Sequence, residues 1–198
     1  MALTLNEIAP PVRLMPDSPM SDEQFLRFCA ANEPLRFERD ANGEIIVMSP
    51  VWTEGAGRES DVATELAIWT RADGRGRYYG PTAGFTLPDG SLRSADAHWI
   101  SWARWNALSP EQRAGYARVC PEFVIEVRSE SDRLKAMREK MELWIRSGAE
   151  VAWLIDPIER SVTIYRAGAE PEEHVNPSSV QGAGPIAGFE LVLQRVWG

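Results

Sequence analysis

Few side chains in this 198-residue chain combine a reactive type with an awkward position, and Glu126, Lys140 and Asp96 are foremost among them. Glu126 lies inside EFVIEVRS (122–129), an apolar segment with the alternation of a strand. A period of two puts Phe123, Ile125 and Val127 on one face and Val124, Glu126 and Arg128 on the other. An ionised glutamate in the middle of such a strand is costly unless a cation or several donors meet it. A bound metal would supply that cation; so would an ion pair with Arg128 or Arg133 at the end of a sheet.

The chain has only two lysines, Lys135 and Lys140, and both fall in SDRLKAMREKMELWIRSG after Glu126. At about 100° per residue, Leu134, Met137, Met141, Trp144 and Ile145 form an apolar stripe with Lys140 on its flank and Lys135 on the far side. A flanking lysine can bury its stem and swing its ammonium toward the strand; a solvated lysine on a helix surface is the plainer alternative. Asp96 opens DAHWIS (96–101), where it either faces the same centre or caps a turn. His98 shares its strand face and reads as structural. Glu59 and Asp61, near the start of an earlier helix, could reach the same centre or simply lie in solvent.

The elements that would position these groups can be read from pattern. Ser21 with Gln24 is a capping box opening a helix over about 21–31. LRFERD and EIIVMSP flank Asn42-Gly43 as a hairpin. A core-facing helix spans 57–72, with Val62, Leu66 and Trp69 at helical spacing before Gly74. Short strands follow at Tyr78-Tyr79, GFTL and DAHWIS, with a turn at Pro88-Asp89-Gly90. Ser109 with Gln112 marks helical turns in a connecting excursion. EFVIEVRS, the amphipathic helix ended by Gly148, and EVAWLID form a strand–helix–strand unit that favours a parallel pair. SVTIYRA and FELVL add strands near the end, and AGAEPEEHVNPSSVQGAGP between them reads as an acidic loop. The fold class is α/β with a mixed sheet, in one domain over 21–198 preceded by an N-terminal arm, 1–20.

Composition is that of an ordinary globular domain, 44% apolar and 25% charged. No apolar run approaches the roughly 18 residues that cross a bilayer. The first residues lack a basic leader and an apolar core, and the two cysteines, Cys29 and Cys120, suit free buried thiols, so a cytoplasmic location is expected. The net charge of −8 opposes non-specific binding to phosphate backbones. Yet residues 128–146 hold six basic side chains against four acidic ones, whereas from Glu150 onward there are three arginines and seven acids. The eight tryptophans could stack bases but read mainly as core.

Arg93-Ser-Ala-Asp96, PEFVIEVRSESD (121–132), Glu139-Lys140-Met141 and WLIDPIERSVTIYR (153–166) occur in an order and spacing that resemble the Uma-type putative restriction endonuclease family, a branch of the PD-(D/E)xK nucleases. MSDEQFLRF, NGEIIVMSP and GFTLPDG extend the resemblance over about 20–195. It implies a restriction-endonuclease-like mixed central sheet flanked by helices, with an N-terminal helix and β-hairpin. It also implies a metal-dependent endonuclease acting on nucleic acid, most naturally DNA. Asp96 and Glu126 would then be the metal ligands, for Mg²⁺ or Mn²⁺, since two carboxylates suit a hard cation that keeps its waters.

Lys140 would take the motif lysine's role of positioning or deprotonating a water. The sequence departs from the pattern at two points: Ala95 stands where a proline precedes the aspartate, and Arg128, not lysine, stands two residues after Glu126. Arg128 cannot act as a base but could hold the phosphate, sharing the lysine's duties with Lys140. Two other classes stay open: a catalytically silent nuclease-fold scaffold, and a hydrolase of small phosphate esters. A homodimer built through the hairpin or the helical excursion is compatible with the sequence.

Overall fold

In chain order the computed structural model runs β1 (Val12–Leu14), α1 (Asp22–Ala31), β2 (Arg36–Arg39), β3 (Ile45–Met48), α2 (Thr53–Asp73), β4 (Gly76–Tyr79), β5 (Phe85–Thr86), β6 (Leu92–Arg93), β7 (Ala97–Ser101), α3 (Trp102–Asn106) and α4 (Pro110–Arg113). It continues through β8 (Phe123–Val127), α5 (Leu134–Arg146), β9 (Val151–Asp156), β10 (Ser161–Arg166), β11 (Glu172–Val175), β12 (Ser179–Gln181), β13 (Glu190–Val192) and α6 (Gln194–Trp197). Residues 12–48 and 52–198 are described; the start of the expected arm and the Ser49-Pro50 end of the hairpin motif lie outside them.

The central sheet has the order β11-β10-β9-β8-β7-β4. β8 and β9 are its parallel pair, joined by α5, and its other pairings are antiparallel. The strand–helix–strand unit therefore pairs as its pattern predicts, and the class is mixed α/β. Alternation along β8 sorts its side chains between two cores. Phe123, Ile125 and Val127 join Val62, Ala63 and Leu66 of α2 on one face. Val124, on the other, joins Met137, Met141 and Trp144 of α5. Each large apolar side chain buried in this way contributes about 1.5–3 kcal/mol, so the two helices clamp the sheet from opposite sides. Among the described residues no helix is long and apolar enough to cross a membrane.

A second sheet, β1-β3-β2-β6-β5, packs against α1 through Phe25, Phe37, Ile45 and Leu92. The capping box at Ser21 and Gln24 forms as predicted, and so does the one at Ser109 and Gln112. The β2–β3 connection is longer than a two-residue turn. Asp40 accepts from the amides of Asn42 and Glu44, and Gly43 alone adopts the left-handed conformation, φ 87°. The aspartate side chain does the local hydrogen bonding that a tight Asn-Gly turn would leave to backbone.

Three further details differ from the sequence expectation. Val12–Leu14, within the expected arm, pairs with β3. GFTL pairs with Leu92–Arg93 in the second sheet, while DAHWIS lies between β4 and β8 in the central one. The acidic loop contains β11 and β12, short strands whose polar composition hides them: β11 lies along the outer edge of β10, where its side chains need little burial.

Candidate active site

The register of β7 against β8, Ala97↔Ile125 and His98↔Val124, brings Asp96, the residue just before β7, to the sheet end that also holds Glu126. Two like charges in that position repel, and only an unusual environment keeps both there. The last rung is closed by a side chain: Asp96 Oδ2 accepts from the amide of Val127 at 2.7 Å, while the amide of Asp96 donates to the carbonyl of Ile125 at 3.1 Å. Asp96 is thereby fixed at the sheet end, with Oδ1 outside any hydrogen bond among the described residues.

Glu126 is 4% exposed. Two donors one helical turn apart on α5 reach its Oε1: the Trp144 indole N–H at 3.1 Å and the Lys140 ammonium at 2.9 Å. Residues four apart lie on the same side of a helix, which is why Lys140 and Trp144 converge on one oxygen. Lys135, by contrast, is exposed and approaches only Glu139.

Lys140 also meets a carboxylate that sequence reasoning overlooked. Glu38 of β2, itself 4% exposed, lies with Oε1 3.1 Å from the ammonium. Its Oε1 accepts from the Ser94 amide at 3.1 Å and its Oε2 from Arg93 Nη1 at 3.0 Å. In LRFERD, Glu38 alternates with Phe37 and Arg39, and the polar face of a hairpin reads by default as solvated. The one hint was position: a charged residue on the far side of a strand whose partners were unknown.

These contacts set the protonation states. Burial works against the charge of Lys140, but Glu126 and Glu38 more than offset it, so its pKa rises and it stays an ammonium. Burial alone would raise Glu38, yet Lys140 and Arg93 override it and hold that carboxyl below its usual value. Asp96 is pushed up to about 7, first by burial and then by the charge of Glu59, with the Val127 amide opposing. Glu126 is pushed up to about 8 by burial, with Lys140 opposing and Asp96 adding to it. Asp96 and Glu126 thus hold on to protons that a cation between them would displace.

Glu59 of α2 is half-buried; burial raises its pKa, Arg36 opposes, and Glu126 and Asp132 add to the rise. It therefore borders the centre electrostatically. His98 is fully buried, its Nε2 accepting from the Ala95 amide at 2.7 Å and its Nδ1 3.3 Å from the Tyr79 carbonyl, so it stays neutral with its pKa pulled by burial to about 3. It braces the turn into Asp96, as a structural histidine would. Arg128 is held away from Glu126. Its Nη1 lies 2.7 Å from Asp156 and its Nε bonds the Asp132 carbonyl, which ties the loop after β8 to the end of β9.

The donor set suits one kind of metal. Among the described residues no group of three or more histidine, cysteine, aspartate or glutamate side chains is gathered to cage an ion. The two carboxylates at this sheet end are oxygen donors of the kind that hard divalent cations take.

Comparison with known proteins bears on the family and the fold of the chain. Residues 22–195 match the family model Uma2, described as putative restriction endonuclease. The fold is similar to the crystal structure of a putative nuclease belonging to DUF820 from Anabaena variabilis, with TM-score 0.73 and 20% identity over 90% of this chain and 98% of that one. An overlap with a DrdV–DNA complex, TM-score 0.39 and 12% identity over 60% of this chain and 10% of that one, is too loose to bear on the fold. No curated protein sequence matches the chain.

Proposed function

Since this chain belongs to the Uma2 family of putative restriction endonucleases, we propose that it is a nuclease that hydrolyses phosphodiester bonds in DNA with Mg²⁺ or Mn²⁺, Asp96 and Glu126 being the ligands and Lys140 the catalytic cation. The observation that carries this reading is the approach of the Lys140 ammonium to within 2.9 Å of Glu126, at the sheet end where Asp96 holds the amide of Val127. Asp96 and Glu126 would hold a divalent cation, which would supply charge to offset the negative charge on the phosphoryl oxygens and a more acidic bound water.

Each residue then has a definite task. Asp96, anchored through Oδ2 to the Val127 amide, presents Oδ1. Glu126 is steadied by the Trp144 indole, which fixes the orientation of its carboxyl plane. Lys140, kept protonated by its carboxylate neighbours, cannot take a proton from water at neutral pH; it orients the nucleophile by hydrogen bonding and stabilises charge in the transition state. The base is thus sought elsewhere, in bulk water or the substrate phosphate. Arg128 keeps Nη2 for a phosphate oxygen while Nη1 and Nε hold Asp156 and the Asp132 carbonyl.

The test is cleavage of supercoiled and single-stranded DNA with Mg²⁺ or Mn²⁺, beside Asp96→Asn and Glu126→Gln. Both substitutions keep the side-chain shape and should abolish cleavage; full activity in both would sink the site assignment. A silent scaffold on the same fold is favoured by the net charge of −8 and by the commitment of Arg128 to Asp156. It predicts no cleavage with either metal and no heat of metal binding in calorimetry.

A further inference from the structure

Lys140 has four rotatable bonds and two carboxylates within reach, and the two differ in what else they do. Glu126 also takes the Trp144 indole and precedes Val127, whose amide bonds Asp96. Glu38 takes the Ser94 amide on the oxygen that meets the ammonium, and Arg93 on the other. Ser94 and Arg93 belong to the segment that leads from β6 directly into Asp96. One buried carboxylate from the N-terminal hairpin therefore touches both the helix that carries Lys140 and the chain that delivers Asp96.

We propose that Glu38 is a positioning residue for the centre: it shares the Lys140 ammonium with Glu126 Oε1 and ties it to the Arg93–Ser94 segment, so that the lysine is held in one place and Glu126 Oε2 stays open to a cation. The physical need is plain. A lysine paired with a single buried carboxylate closes on it, because the charge-assisted bond is short and strong in a low-dielectric site. An ammonium held by that one carboxylate alone could swing from Oε1 to Oε2 and cover the oxygen that a metal requires. A second carboxylate, 3.1 Å away and already anchored by two donors of its own, shares the ammonium and holds it between the two. Glu38 can do this because it is not itself free to move. Its five-stranded sheet thus supplies part of the centre, although Asp96, Glu126 and Lys140 all lie outside that sheet.

This inference rests on the nuclease reading, and the test keeps the two apart. Glu38→Gln preserves shape and the acceptor for Ser94 but removes the charge; Glu38→Asp keeps the charge and shortens the reach. With supercoiled DNA and Mn²⁺, Glu38→Gln lowers kcat about 10- to 100-fold, as loss of an outer partner of a site commonly does, with KM nearly unchanged. Glu38→Gln combined with Lys140→Met is no slower than Lys140→Met alone, because Glu38 acts through the lysine. Losses that multiply would overturn the proposal, as would activity that simply follows melting temperature across Glu38→Asp and Glu38→Gln.

With only two lysines in the chain, the ε-methylene NMR signals of Lys135 and Lys140 are separable, and this readout needs no activity. Glu38→Gln moves the Lys140 signal toward that of exposed Lys135. An unmoved signal overturns the proposal, even if wild-type protein cleaves nothing and the nuclease reading has failed.

Discussion

Asp96 and Glu126 are acids at one sheet end whose pKa values are pushed up to about 7 and about 8. A cation binding between them must expel their protons. Calorimetry at pH 7 in buffers of different ionisation enthalpy should therefore record release of about one proton per Mn²⁺, with affinity rising as pH climbs through 8. Proton release near zero would place the metal elsewhere. Lys140→Met removes the cation that pairs with buried, ionised Glu38 and bonds Glu126 Oε1, which costs on the order of 3 kcal/mol when a buried partner is lost. Urea unfolding measures this, and a second substitution, Glu38→Gln, should recover part of it. Trp144→Phe keeps most of the packing and loses one donor to Glu126; a loss near 1.5 kcal/mol is expected.

Between elements, Arg128 and Asp156 act as a latch. Arg128 follows β8, and Asp156 ends β9 and accepts from the amides of Ile158 and Glu159 with its other oxygen. Arg128→Ala leaves a nearly buried carboxylate without its guanidinium and should cost about 3 kcal/mol without any nucleic acid present, most of it regained in Arg128→Ala with Asp156→Ala. An unchanged melting temperature in Arg128→Ala would return the arginine to a purely substrate-binding role. The capping boxes show the opposite case, in which local sequence suffices: Ser21 and Gln24 satisfy each other's backbone partners within a few residues. Ser21→Ala should cost about 1 kcal/mol by denaturant titration.

Across the whole molecule, buried groups give stability a pH dependence of two opposing parts. The unfolded chain takes up a proton on histidine below about pH 6.5, which folded His98 resists down to about 3. Its contribution is complete above 6.5 and is lost as pH falls, amounting to about 2 kcal/mol at pH 5. Asp96 and Glu126 act in the other direction: folded, they keep protons that the unfolded chain gives up near pH 4, so stability falls as pH rises from there toward 8. Comparing wild type with His98→Gln by thermal melts at pH 7.5 and 5 separates the two. The wild type should lose stability relative to the variant on acidification, and parallel curves would remove His98 from this account.

Local and periodic features were legible in the residues alone: the capping boxes, the strand alternation that sets Glu126 apart from Phe123 and Ile125, the helical flank that carries Lys140, and the parallel unit around α5. Each depends on neighbours a few positions apart, where backbone geometry leaves few choices. Tertiary structure alone decided which charges meet. Glu38 and Lys140 are separated by about a hundred residues and by a change of sheet, and no period links them. The same holds for Arg128, which strand alternation placed beside Glu126 and a neighbouring strand end drew to Asp156. Ion pairs form over a few ångströms in space whatever the separation in sequence, so which charges meet Lys140 was decided by packing.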